Sequence, residues 1–464
     1  MKKFLLLAVS FYCVIFLNFV SSEIIVDGIL DEPEWKDSRK FDTFYEVYPY
    51  SLKEVSEFDT EILVYENDKG IYIGFRNFQS NQTMRSQNHE RDDERSLADK
   101  NGVSIDFDAD GLIAYQFFVS SGGSIGDATY TNEKEKSTDW DGDWLSGTTV
   151  DEGVWYSEIF IPWSIAPMKK QNGDRRNVKI AFYRMLAGYS RVIATIKGSP
   201  YQNVYMSVFD DFDFKNFSSS KIDFFPYLTL NNDRLENETD TKSGAEIFWK
   251  IDSSKQLNAA INPDFGQVES DDVVVNFSAT ETFYSDKRPF FSENQSLFNV
   301  KGNMFRIINT RRIGAAPDYD CSKFENAERN YCLENKKSSN DIDVAIRYTQ
   351  QLENFDIGVL GAFEANEKFS EGKDFYAFRL RTKKNNVSIG YLGTHVKQPI
   401  FNDSATVHSV DMEYRPSRSH RFTNNLIVTN ASEEKGYGFS LGYGYDPDQT
   451  FHSGLGIHYF DDNF

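Results

Sequence analysis

The chain has 464 residues, with 50 Lys and Arg against 71 Asp and Glu and a net charge of −21. With no Lys/Arg-rich tract, nucleic acid is excluded as a partner, because affinity for a phosphate backbone comes mainly from basic side chains. The mean hydropathy is −0.53 and the one long apolar run lies at the extreme N-terminus, which excludes a helical membrane protein but not a β-barrel. Forty Phe and 25 Tyr bring the aromatic share to 15 %, a composition that leans towards β-structure. The length allows two or three domains at roughly 100–200 residues each.

Lys2 and Lys3 precede an apolar stretch from Phe4 to Val20, and Ser21-Ser22 then gives way to Glu23. This reads as a secretory signal peptide over residues 1–22, cleaved after Ser22 with Val20 at the −3 position. The alternative is an uncleaved anchor, for which the run is short. Cleavage would leave 48 basic and 71 acidic residues, a charge of −23, on an exported chain.

From Glu23 to about Ser207 short alternating runs are broken by turn residues. Residues 62–65, 70–75, 103–107, 114–119, 154–160 and 178–183 each read as a strand with one buried face. Their spacing predicts a β-sandwich over 23–209. The acidic, Phe- and Ser-containing stretch 210–220 reads as a linker, and a second domain is expected over 221–464.

In that second part, Tyr437 to Tyr445 sets every large residue on one face and only Gly or Ser on the other. A turn at Asp446-Pro-Asp-Gln leads into Phe451 to Tyr459 with the same alternation, and shorter versions occur at 344–348, 357–363, 376–380, 387–391, 410–414 and 422–428. Strands with one large apolar face and one small or polar face are the signature of an outer-membrane barrel. A soluble antiparallel sheet with one wet face has the same period. The expected fold is therefore all-β, a sandwich followed by an antiparallel barrel segment, with outer-membrane lipid as a partner.

Several short motifs bear on chemistry. Cys321 and Cys332, the two cysteines left after the signal peptide, are placed to close a surface loop as a disulfide, with two free thiols as the alternative. Asp139, Asp141 and Asp143 alternate through a Gly-containing turn, the ligand spacing of a Ca²⁺ loop, although the glutamate of an EF-hand does not follow. Gly122-Gly123-Ser124-Ile125-Gly126 satisfies the pattern of a nucleophile elbow, but no helical stripe follows it, so a hairpin turn is expected. The six histidines form no dense metal motif; His452 and His458 share the small-residue face of one strand. Glu269 and Glu281 are weak candidates for a carboxylate pair, with Lys287 and Arg288 near enough to neutralise such groups.

Asp27-Gly28-Ile29-Leu30-Asp31-Glu32-Pro33-Glu34-Trp35, the strand pair 62–75, the runs 102–108 and 115–119, Asp139-Trp140-Asp141-Gly142-Asp143-Trp144, and Trp155, Glu158, Ile161, Pro162 and Trp163 occur in the order of a known domain. Together they resemble family 9 carbohydrate-binding modules over about 150 residues. Asn262-Pro263-Asp264-Phe265-Gly266-Gln267-Val268-Glu269, then Glu281 to Phe291 and Arg311-Arg312-Ile313-Gly314, resemble a domain of unknown function that follows such modules in bacterial exported proteins. That domain is expected to end in an outer-membrane barrel. Its members usually have a longer C-terminal region, so this chain is expected to stop partway round its barrel or to be a fragment.

The resemblance implies a sandwich that binds polysaccharide or oligosaccharide beside a barrel, in carbohydrate catabolism, and proteins of this appearance are often labelled hydrolases of O-glycosyl bonds. Trp140, Trp144 and Tyr130, in a turn-rich segment, are the candidate sugar platforms; Trp35, Trp155 and Trp163 are expected in the core. The alternative is a transporter or scaffold whose sandwich is a non-catalytic plug or protein contact.

Overall fold

The computed structural model describes residues 24–464 except 50–53, 94–95, 172, 201, 203, 234–237, 264–285, 294, 303–304, 402, 433 and 448–450. The signal-peptide segment and the candidates Glu269 and Glu281 lie outside the described residues. The first half folds as two antiparallel sheets. One has the order β1 (Arg39–Phe41), β3 (Thr60–Glu66), β4 (Gly70–Phe78), β10 (Val154–Pro162), β9 (Leu145–Asp151). The other has the order β2 (Tyr45–Tyr48), β12 (Arg191–Ala194), β11 (Arg175–Leu186), β5 (Lys100–Asp106), β6 (Ala114–Ser120), β7 (Ile125–Thr131), β8 (Glu135–Ser137), with β13 (Asp210–Lys215) also on β11.

Ile62, Val64, Ile71, Ile73 and Phe75 of the first sheet meet Val103, Ile105, Phe117, Val119, Ile180 and Phe182 of the second in a dry core. Burial of such apolar area is the main stabilising contribution. The expected strands are all present. The connector is shorter than the composition suggested: its first half is β13, because Phe212 and Phe214 alternate into the core while Asp211 and Asp213 face out. Trp35, Trp155 and Trp163 are buried, and residues 121–124 form the turn between β6 and β7, not a strand-to-helix elbow.

The chain's start is clamped by a buried carboxylate. Glu158 accepts the backbone N–H of Asp27 at 2.9 Å and of Gly28 at 2.8 Å. Gly28 sits at φ +89°, and a Cβ there would lie 2.6 Å from the Thr148 backbone, so this position requires glycine.

The second half is a half-barrel. Its sheet runs β14 (Lys221–Asp233), β15 (Glu238–Asp252), β16 (Lys255–Ile261), β19 (Ile342–Gln351), β20 (Phe355–Glu364), β21 (Asp374–Lys384), β22 (Val387–Gln398), β23 (Asp403–Ser417), β24 (His420–Ala431), β25 (Glu434–Tyr445) and β26 (Ser453–Phe460), every neighbouring pair antiparallel. The sequence patterns missed β14 to β16. Pro226 is tolerated because β14 is an edge strand of this sheet. Between β16 and β19 lie a two-stranded hairpin of β17 (Lys301–Gly302) and β18 (Phe305–Arg306) and short helices, including Asn326–Glu334, which is tied by the Cys321–Cys332 disulfide.

The two faces of this sheet differ in kind. The inner face carries Phe290, Phe291, Leu297 and Phe298 packed on Ala345, Leu360, Ala362, Ala377 and Leu392, together with buried Arg347, Asp356 and Arg379. The outer face carries exposed Leu228, Trp249, Ile346, Val359, Phe378, Leu380, Val410, Leu426, Leu441, Leu455 and Ile457. Following the strand pairing, its charged side chains among the described residues are Asp252 and Lys255, which pair at 3.5 Å, Asp374, Lys384, Lys397 and Lys435, each within two positions of a strand end.

The sandwich does not stand beside this sheet as expected; it is seated on the inner face. Lys383 donates to the Asp110 carbonyl, and Lys169 pairs with Asp110 at 2.8 Å and lies 4.0 Å from Asp356. Arg415 pairs with Glu133 at 2.7 Å, Lys221 with Asp143 at 2.5 Å, and Lys250 donates to the Ser164 carbonyl at 2.7 Å. Strands β14, β15, β20, β21 and β23 thus all reach it.

Burial pushes the Glu158 carboxyl up to about 7, so the folded state holds its proton more tightly than the unfolded state. Its contribution therefore favours folding at low pH and is lost as pH rises from the ordinary value through about 7. Glu158→Gln keeps an oxygen for both N–H groups and does not titrate. The stability difference between variant and wild type should shift by about 2 kcal/mol in the variant's favour from pH 5 to pH 8, read by thermal unfolding of the full chain; a pH-independent difference would contradict the assignment.

Candidate functional site

The sandwich carries a cleft of about 250 Å³ on the side of its second sheet that faces away from the core. Strand period explains it: along Ala114 to Val119, Tyr115 and Phe117 point into the core, so Gln116 and Phe118 point the other way. Phe118 and Tyr183 lie flat across glycines, since a Cβ on Gly126 would meet Phe118 at 2.2 Å and one on Gly102 would meet Tyr183 at 2.3 Å. Lys100 Nζ sits 5.1 Å from the Phe118 ring centroid. Lys136 donates to Gln116 Oε1 at 2.7 Å, and the Tyr130 hydroxyl reaches the same oxygen at 3.5 Å. Ring faces flanked by an amide and ammonium groups suit an apolar face rimmed by hydroxyls.

The three aromatic candidates do not form one platform. Tyr130 is buried in this cleft, edge-on to Tyr205 at 5.1 Å. Trp144 is buried in the core with its indole N–H on Asp127 at 2.6 Å, so its faces are closed to solvent. Trp140, half-buried, packs edge-on against Tyr115 at 4.8 Å and Phe117 at 5.8 Å. It lines a different cavity, of about 140 Å³, between the sandwich and the inner face of the half-barrel.

Nor do Asp139, Asp141 and Asp143 converge. Asp139 accepts the Ser137 hydroxyl at 2.6 Å, Asp143 is held by Lys221, and Asp141 turns towards Asp92 and Asp127, whose carboxylate oxygens lie within 4.8 Å of its own. Arg91 already sits in that set, 2.6 Å from Asp127 and 2.8 Å from Asp141. The Arg91 guanidinium thus already supplies the positive charge these carboxylates share. With that guanidinium in place the donor set does not fit a calcium cage. Burial and the neighbouring Asp127 and Asp141 charges push Asp92 up to about 6, and burial raises Asp127 against the indole and guanidinium donors that lower it.

A second acidic turn, Asp106-Phe-Asp-Ala-Asp110-Gly111, is an anchor. Asp106 accepts the N–H of Gly111 at 2.7 Å, Asp108 that of Lys169 at 2.7 Å. Burial, then the Asp110 charge, raises both carboxyls, whereas Lys169 and Lys383 hold Asp110 low despite its burial. His452 and His458 both line an inner-face basin of about 510 Å³ with Asp411, Glu413 and Arg421. The sequence reading missed Gln116, Phe118 and Tyr183; the available signal was that residues 114–119 are apolar on both parities, which marks a strand covered on both faces.

Residues 219–374 match a family described as "Domain of unknown function (DUF5916)". No curated protein matches the chain. Among solved structures, a family 9 carbohydrate-binding module from Caldicellulosiruptor kristjanssonii in complex with cellotriose is 13 % identical, with a TM-score of 0.29, covering 41 % of this chain and 88 % of the module. An anion-selective porin from Comamonas acidovorans is 7 % identical, with a TM-score of 0.25, covering 89 % of this chain and 83 % of the porin.

Arg91→Met should leave buried Asp127 without its cation and cost about 2 kcal/mol at pH 7.5. The loss should shrink at pH 5, where Asp92, raised to about 6, sheds its negative charge beside Asp127. Urea unfolding at the two pH values measures this; an equal loss at both would contradict neutralisation as the role of Arg91.

Proposed function

We propose that this chain is an exported outer-membrane protein that recognises carbohydrate through its sandwich. The observation that carries the recognition is the cleft of Phe118, Tyr130 and Tyr183 beside Gln116, Lys100 and Lys136. Aromatic faces gain area and dispersion against the C–H side of a pyranose, and the amide and ammonium groups meet hydroxyls whose desolvation would otherwise be costly. The membrane assignment is supported by the outer face, predominantly apolar with charges only near strand ends, which suits a hydrocarbon layer. Removal of residues 1–22 as a signal peptide belongs to the same reading.

A second reading has its own support. The sandwich is seated on the inner face through five strands, where it would act as a plug in a transport protein. Hydrolysis of O-glycosyl bonds, with Glu269 and Glu281 as the carboxylates, is the third activity in this group; their conversion to Gln should abolish turnover and spare binding.

The test is calorimetric titration of the full chain, in detergent, with neutral plant and algal oligosaccharides. Binding in the micromolar to millimolar range, weakened about tenfold by Tyr183→Ala or Gln116→Ala, corresponds to about 1.4 kcal/mol and supports the cleft. A folded chain that binds no neutral glycan, or binds equally in both variants, would favour the plug.

A further inference from the structure

The cavity between the two halves holds an unusual group. Arg347, on the inner face of β19, has a side chain only 4 % exposed, and its Nη2 has no hydrogen-bond partner among the described residues. The nearest carboxylate is Glu293, 3.7 Å from Nη2. That carboxylate also lies 3.6 Å from Lys250 and takes the Asn258 amide N–H at 2.8 Å, so one negative charge serves two cations. A buried guanidinium left in this state is costly, and a bidentate carboxylate is the group that best satisfies its planar fork.

The sandwich side of the chamber carries aromatic rings together with Lys136 and the Glu135 and Asp139 carboxylates, the last bonded to the Ser137 hydroxyl. Trp140 and Tyr115 come from the sandwich, and Ser292, Ser296 and Thr310 add hydroxyls from the half-barrel side. The volume, about 140 Å³, is that of one small ring rather than a chain. We propose that this chamber is a binding site for a single carboxylate-bearing sugar unit, its carboxylate on Arg347 and its ring against Trp140. The site is incomplete in either half alone. The inference rests on the reading of the chain as a glycan binder, but it uses a cavity separate from the neutral cleft. The chain's charge of −21 opposes an anion at long range, yet this repulsion is screened beyond about 8 Å at physiological salt.

The experiment is calorimetric titration of the full chain in detergent, at about 0.15 M salt, with sodium glucuronate, glucose and sodium acetate as probes. An oligogalacturonide in parallel separates a chain end, which would bind more tightly than the monosaccharide, from a free unit, which would bind at least as well. Glucuronate should bind more tightly than acetate or glucose, and Arg347→Gln should weaken it at least tenfold while leaving neutral-oligosaccharide binding intact. Ser296→Trp fills the chamber with Arg347 in place and should cause the same loss, which covers the case of an unfolded Arg347 variant. Glucuronate binding that survives either folded variant, or is absent from the folded wild type, overturns the proposal. If neutral glycans still bind in a Tyr183-dependent manner, only this inference falls; if no sugar binds, both readings fall.

Discussion

The structure depends on one constraint: each strand of the half-barrel sheet must keep its charged side chains, strand ends apart, on the inner side and leave the outer side to large apolar residues. With a side-chain period of two, slipping a strand by one residue would turn its charges outward. The pairing shows how closely the rule is kept. Tyr391 of β22 stands opposite Leu380 and Val410, while Leu392 stands opposite Arg379 and Ser409. Where an inner-face pair must bridge a strand, the intervening residue gives way. Arg379 reaches Asp411, two strands over, because Gly390 of β22 has no Cβ; one there would lie 2.4 Å from the guanidinium.

A polar inner face is what allows the sandwich to be seated on it. The contacts are charge-assisted and come from separate strands, each reaching a turn of the sandwich: Asp110 after β5, Glu133 after β7, Asp143 before β9, Ser164 after β10. Exposed ion pairs contribute little singly, but here Asp356 is nearly buried and is shared by Arg381 at 2.8 Å and Lys169. The acidic turn at 106–111 therefore serves as a docking element. Its resemblance to a metal loop comes from the same need, oxygens placed to accept several donors.

Much of the fold was legible. Alternation located the sandwich strands and the half-barrel from β19 onward because one face of each is uniformly apolar. It failed at β14 to β16, where Pro226, Gly244 and a run of Thr and Ser blur the period, and at β13, where Asp-rich composition hid two inward Phe. The candidate site was less legible. Trp140, Trp144 and Tyr130 are close in sequence, but a buried Asp127 draws Trp144 into the core and strand parity sends Tyr130 to the opposite side from Trp140. Arg347 and Trp140 are 207 positions apart, and only the seating of one half on the other brings them to one cavity.

The central claim is that the outer face of the half-barrel meets lipid, and Trp249 tests it most directly. It lies on that face, 37 % exposed, and the other five of the six tryptophans belong to the sandwich. In vesicles of brominated phospholipid, fluorescence of the full chain should be quenched in a component that disappears in Trp249→Phe. Quenching of Trp249 by aqueous iodide, with none from the brominated acyl chains, would contradict the account.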